Sequence, residues 1–282
     1  MISRSSKITI VGLGLLGGSY AKGFFNAGYR VKGIDIDQDT LAYARKMNWI
    51  IEGSDDPSIV ADSDIIISAL YPKTFYQWVK DNQHYFKSGA LLTDVTGIKR
   101  QIIEEINGIL RDDVEFIACH PMAGREYKGI AYADCSQFEK ANFIIVPTPE
   151  NTPEAIEKAR EIAQILKFKN ISVLDPEAHD RTIGFVSQLC HVIAISLMNI
   201  SEDPNISQYT GDSFLDLTRI ANINEDLWPE LFIYNKDNLI AETDMLIKQM
   251  NVLKGYIEEE NVEEMKKLMI EATQRRKAFG RK

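Results

Sequence analysis

Along the first 175 positions, short apolar runs alternate with longer stretches in which apolar residues recur at helical spacing. The runs at 7–11, 29–36, 64–68, 90–94, 114–119, 143–146 and 171–174 are of strand length and bounded by turn residues, which predicts buried β-strands. Between them the spacing predicts helices over 19–27, from about 37–40 onward, and over 72–86, 98–110 and 153–167. Strands alternating with helices imply a parallel, doubly wound α/β sheet. From Pro176 the β pattern vanishes and only helical periodicity remains, over 178–200, around 216–221, and over 234–259 and 262–279. A boundary at Asp175 and Pro176 is expected, with residues 1–175 as one domain and 176–282 as a second, all-α domain. The helix over 178–200 is apolar on nearly every face, so it is expected to bury itself against the rest of the chain or a second subunit.

The first strand runs directly into Gly12-Leu13-Gly14-Leu15-Leu16-Gly17, and a helix follows. That is the order a dinucleotide fingerprint needs: Gly12 for the tight turn, Gly14 for close approach of pyrophosphate to backbone, Gly17 for helix-on-strand packing. The first half therefore reads as a Rossmann-type domain. Asp35 ends the second strand, 35 − 12 = 23 positions on, near the distance at which an acid binds the adenosine ribose. Its charge, with Asp37 and Asp39 nearby, would repel a 2′-phosphate, so NAD is expected rather than NADP. A helix cap is the alternative role, and it suits Asp37 better than Asp35.

Later turns at strand ends supply Ala69, Leu70 and Tyr71 as candidates for the adenosine side, and Asp94, Thr96 and Gly97 for the nicotinamide side. Packing is an equal alternative for Tyr71 and Asp94. His120 follows an apolar strand, and Pro121 and Gly124 prevent a helix after it, so an imidazole stands where open α/β sheets place their ligands.

In the helical half Asp180, Gly184, Ser187 and His191 recur at steps of 4, 3 and 4, one polar stripe on an apolar helix. The stripe suits either satisfied core polar groups or a substrate pocket. Asp216-Leu217-Thr218-Arg219-Ile220-Ala221 sets a guanidinium three residues after a carboxylate, as an ion pair or a clamp for a substrate carboxylate. Trp228 follows. The last helices are amphipathic, suited to a dimerisation surface or to core packing.

Composition narrows the partners. The 282 residues carry a net charge of −9, which repels nucleic acid and anionic membranes. Three cysteines without CxxC spacing suggest neither a disulfide framework nor a metal site, and a reducing cytoplasm fits. No signal peptide is evident, and no uninterrupted apolar run reaches membrane-spanning length.

Taken together, Gly12 to Gly17, Asp35, His120-Pro121-Met122-Ala123-Gly124, Ser187-Gln188-Leu189-Cys190-His191 and Asp216 to Ala221 resemble the prephenate/arogenate dehydrogenase family of tyrosine biosynthesis, end to end. The resemblance implies a Rossmann domain, a helical domain forming a homodimer, NAD as cofactor, and oxidative decarboxylation of prephenate, or of arogenate, in the cleft between domains. It implies His120 as the catalytic base, Arg219 on a substrate carboxylate, Ser187 and His191 in the pocket, Glu126 and Asp216 as acids at its mouth, and Trp228 nearby. Relatives often carry a serine bonded to the catalytic histidine; here the loop reads Thr96-Gly97-Ile98-Lys99, so Thr96 is the candidate to orient His120. Arg125 stands where small or neutral residues are frequent. Nothing in the sequence matches the appended regulatory domain or chorismate mutase portion of some relatives, so any tyrosine feedback would have to act at the active site. The competing expectations are a β-hydroxyacid dehydrogenase or imine reductase, which would use a lysine or aspartate on the interdomain helix, and an NAD sensor without turnover.

Overall fold

The computed structural model describes residues 1–124 and 127–279. Its first strand, β1 (Ile8–Val11), leads through the glycine turn into helix α1 (Leu15–Asn26), four residues earlier than the sequence pattern suggests. The helix starts there because Gly14 is its N-cap and the glycine turn is part of its first turn. Then follow β2 (Val31–Ile34), α2 (Gln38–Lys46), β3 (Glu52–Ser54), β4 (Ile65–Ser68), α3 (Pro72–Asn82), β5 (Leu91–Asp94), α4 (Arg100–Asn107), β6 (Glu115–Pro121), β7 (Asn142–Val146), α5 (Pro153–Ile165) and β8 (Asn170–Val173). The strand β3 is not evident from sequence, because its three residues include Gly53 and none is fully buried.

The eight strands form one sheet in the order β3-β2-β1-β4-β5-β6-β7-β8. Order reverses between β1 and β4, and the crevice at the carboxyl ends of those strands is where such sheets hold ligands. Pairing is parallel except between β6 and β7. The strand bearing His120 departs from the expected parallel strand ending at 119. Its first half pairs with β5 through Glu115 to Ile117, and its second half, Ala118 to Pro121, pairs antiparallel with β7. His120 thus lies within a strand, opposite Ile144, and its backbone is held on one side by the ladder. Apolar side chains cover both sheet faces: Ile8, Ile10, Tyr20 and Phe24 in one core, Ile66, Phe75, Leu92 and Ile102 in the other.

After Val173 only helices follow: α6 (Pro176–Ile183), a π turn (Gly184–Gln188), α7 (Leu189–Met198), α8 (Asp212–Thr218), α9 (Leu227–Tyr234), α10 (Lys236–Glu258) and α11 (Val262–Lys277). By compactness the chain divides differently from its change of element type, into Met1–Asn235 and Lys236–Lys282. Helices α6 to α9 therefore belong with the sheet. In the second unit α10 and α11 pack on each other, with Glu260 in a left-handed turn and Asn261 capping α11 by accepting from the Glu264 amide.

The stretch Pro176–Met198 amends one expectation, since by length and hydropathy it could cross a membrane. Core helices of soluble proteins meet the same criteria. It is also less buried within the chain than its apolar sequence suggests, with Phe185, Val186 and Met198 exposed.

Candidate active site

At the glycine turn, Gly12 has φ +84°, the left-handed region that glycine adopts without strain. A Cβ on Gly17 would lie 1.8 Å from the Gly12 carbonyl oxygen, so no other residue fits there, whereas a Cβ on Gly14 would meet nothing within 4 Å. Open space over Gly14 beside a helix N-terminus suits a phosphate. The Leu13 amide donates to Asp35 (2.7 Å), which ties the carboxylate to the turn, and the Asp37 amide donates to its other oxygen (3.0 Å). Each oxygen keeps a lone pair for a ribose hydroxyl. Asp37 instead caps α2, accepting from the Asp39 and Thr40 amides. The residues present fit a dinucleotide.

Other predicted cofactor residues divide. Leu15 and Leu16 are half-buried at the start of α1, but Leu13 turns fully into the core. The Ala69 amide donates to Val11, and Ala69 and Leu70 border Gly12. Tyr71 is partly exposed and accepts a hydrogen bond from Asn224 (2.7 Å). Asp94 is occupied by the protein itself. It is fully buried, accepting from the Cys119 and Thr96 amides and from Lys99 Nζ (2.6 Å), itself fully buried. The Thr96 hydroxyl donates to the same carboxylate and takes a hydrogen bond from Lys99. Thr96 is therefore committed to the Asp94–Lys99 pair and does not orient His120, contrary to the sequence-based expectation.

The partner of His120 is His179. His120 Nδ1 and His179 Nε2 are 2.9 Å apart, and His179 Nδ1 is 2.7 Å from Asp180 Oδ1. Asp180 also accepts from the backbone amides of Lys99 (2.8 Å) and Arg100 (2.9 Å), so a side chain of α6 caps the N-terminus of α4. Burial first, then the neighbouring His179 and the Lys99 charge, hold His120 well below the ordinary histidine range. Burial also lowers His179, against the pull of Asp180. Both rings are neutral at pH 7. A Cβ on Gly97 would lie 3.7 Å from His120 Nε2, so that nitrogen faces the loop after β5.

His179 escaped the sequence reading because the i, i+4 stripe passes through Asp180 and skips it. The stripe itself is broken. The π turn inserts close to one extra residue's rotation, so Gln188, not Ser187, continues inward from Asp180 and Gly184. Gln188 is buried, donates to the Leu231 carbonyl (2.9 Å) and accepts from Asn235 (2.7 Å), which also donates to the Asp180 carbonyl. Leu231 borders Gly97, and so α9 links the polar helix to the loop beside His120.

Ser187 and His191 lie half-buried on the other phase. The His191 Nδ1–H donates to the Ser187 carbonyl (3.0 Å), and the ring lies against Trp228 with centroids 3.6 Å apart. Arg219 is exposed at the head of a 3-10 turn, Arg219–Ala221, that packs on α7, and Asp216 is exposed on α8 just before it. The structure thus brings His191, Trp228 and the Arg219 turn around α7, and His120, His179, Asp180 and Gly97 around α6. Glu126 and Arg125 lie outside the described residues. An open groove of about 1010 Å³ between α3, α4 and Tyr234 contains none of the predicted site residues.

Two family models match the chain: the nucleotide-binding domain of prephenate dehydrogenase over residues 21–172 and its dimerization domain over 175–271. The chain belongs to the prephenate dehydrogenase family. Members are NAD-dependent oxidoreductases, and the doubly wound sheet followed by helices is their architecture. The chain is 27% identical to prephenate dehydrogenase of Bacillus subtilis, over 92% of this chain and 72% of the relative. It is 25% identical to cyclohexadienyl dehydrogenase of Zymomonas mobilis, over 89% and 88%. The crystal structure of prephenate dehydrogenase from A. aeolicus, in complex with hydroxyphenyl propionate and NAD+, has a TM-score of 0.89 at 27% identity and covers 99% of both chains.

Proposed function

We propose that this chain oxidises prephenate and releases its ring carboxylate as CO2, giving 4-hydroxyphenylpyruvate for tyrosine biosynthesis. The observation that carries the reading is His120, neutral and half-buried, with Nδ1 tied to His179 and Nε2 toward the Gly97 loop. NAD, held by Gly12, Gly14, Gly17 and Asp35, supplies the hydride acceptor when bound. His120 Nε2 takes the proton of the ring hydroxyl oxygen, a role that suits a neutral imidazole, while the carbinol carbon that bears this hydroxyl is the hydride donor. Arg219 grips a carboxylate of the dianionic substrate, a local cation in a chain of net charge −9. His191 and Ser187 shape the pocket with Trp228, while Asp216 sets the charge at its mouth. Residues 1–175 serve as the NAD-binding half and 176–282 as the substrate and dimerisation half.

The test is NADH formation by purified protein given prephenate or arogenate, each with NAD or NADP. Turnover is expected with prephenate and NAD. Preference for NADP would overturn the reading of Asp35, preference for arogenate the choice of substrate, and absence of turnover with either the reaction itself. Arg219→Ala is expected to raise KM by roughly 10- to 100-fold with a smaller change in kcat, since a charge-assisted hydrogen bond is worth about 1.5–3 kcal/mol. Equal loss in both constants would contradict a binding role.

The same reading makes the protein a cytoplasmic homodimer without nucleic-acid or membrane partners. Exposed apolar side chains on the helical stretch, Phe185, Val186, Leu215, Leu217 and Ile233, support association. Sedimentation equilibrium is expected to give twice the 32.0 kDa chain mass.

A further inference from the structure

The hydrogen-bond chain behind His120 has a direction, and it can be read from its far end. The Asp180 carboxylate is anchored by two backbone amides and can only accept, so the 2.7 Å contact requires a hydrogen on His179 Nδ1. A neutral His179 then presents a lone pair at Nε2, and the 2.9 Å contact requires a hydrogen on His120 Nδ1. What remains is a bare Nε2 on His120, beside Gly97. Among the described residues His179 makes the only hydrogen bond to this imidazole, and Gly97 offers no side chain to the other nitrogen. The ionisable groups around the pair are Asp180 and Lys99, with Asp94 paired to Lys99 and Cys119 next to His120 in the strand.

We propose that His179, oriented by Asp180, is a positioning residue that fixes His120 in its Nδ1-protonated tautomer and so leaves Nε2 as the nitrogen that accepts the substrate proton. The inference deepens the reading of His120 as general base and rests on it. It also explains why a histidine can serve here although Thr96 is turned away. The carboxylate end of the relay is built into the N-terminus of α4, so helix, relay and base form one continuous hydrogen-bonded chain.

The wild-type tautomers are measurable without any variant. In full-length protein labelled with 15N-histidine, long-range proton–nitrogen correlations at neutral pH report which ring nitrogen carries hydrogen in each of the four histidines. His120 and His179 are both expected in the neutral Nδ1–H form; finding His120 as Nε2–H, or His179 charged, overturns the proposal. Asp180→Asn supplies the kinetic arm. With its oxygen kept on the Arg100 amide, its NH2 donates to His179 Nδ1 at the cost of the Lys99 amide's acceptor, which reverses both tautomers and puts a hydrogen on His120 Nε2. In the serine-protease triad the equivalent change lowers kcat by about 10⁴ by trapping the wrong tautomer. Here a loss of roughly 10²–10⁴ in kcat is expected, with substrate KM and NAD affinity nearly unchanged and the His120 signals switched. Unchanged kcat, or a loss without a change of tautomer, overturns the proposal. If the Nδ1–H tautomer is found but neither prephenate nor arogenate is oxidised, the substrate reading fails and the relay stands.

Discussion

Replacing His120 with asparagine is expected to lower kcat by about 10²–10⁴ and to leave the substrate KM nearly unchanged. Asparagine can keep a hydrogen bond to His179 through its amide, and it carries no nitrogen basic enough to take a proton. The loss corresponds to roughly 2.7–5.5 kcal/mol of transition-state stabilisation. Steady-state kinetics with NAD saturating separates the two constants, and full turnover in the variant would remove His120 from the mechanism. The pH dependence has a definite sign. Burial, with His179 and Lys99, lowers the His120 pKa, so the neutral base survives below the ordinary histidine value near 6.5. Activity is therefore retained as pH falls through 6.5 and is lost only at the lower, native pKa. An acid limb of kcat/KM at or above pH 6.5 would contradict the half-buried, neutral imidazole.

Much of this arrangement is legible in the sequence, for physical reasons that differ from one part to the next. The glycine turn is legible because steric exclusion at Gly17 and positive φ at Gly12 leave one residue type possible. The strands are legible because a sheet covered on both faces needs unbroken apolar runs. His120 stands out because a histidine ending such a run has no packing purpose. Its partner does not stand out. His179 is one residue from Asp180, and neighbours in a helix point about 100° apart, so periodicity assigns them to different surroundings although their side chains are hydrogen-bonded to each other. The π turn is equally silent, since nothing in Gly184-Phe185-Val186-Ser187-Gln188 announces an extra residue per turn, and the stripe drawn through Ser187 misses Gln188 for that reason. Asp94 and Thr96 show a third limit. A polar residue in a turn reads as ligand-facing until coordinates show that Lys99 reaches back under the loop to meet it.

That buried pair carries the second large effect. Asp94→Ala is expected to destabilise the protein by about 3–5 kcal/mol, because it leaves the Lys99 ammonium enclosed with, among the described residues, only the Thr96 hydroxyl as a hydrogen-bond partner. It also strips the acceptor from the Cys119 and Thr96 amides. Equilibrium unfolding in urea reads the change, and a cost below about 1 kcal/mol would mean that Lys99 finds solvent. The double change Asp94→Asn with Lys99→Met should recover much of the loss, since removing both charges leaves none uncompensated and the amide oxygen still accepts from one of the two backbone amides, Cys119 or Thr96. Stability recovered in this way need not restore the chemistry. The Lys99 charge is one of the groups holding His120 below its ordinary pKa, so without it that pKa rises and the acid limb of kcat/KM moves toward higher pH. A double variant as stable as the parent, with its acid limb shifted upward, would show that the buried pair sets the pH range of the base as well as supporting the fold.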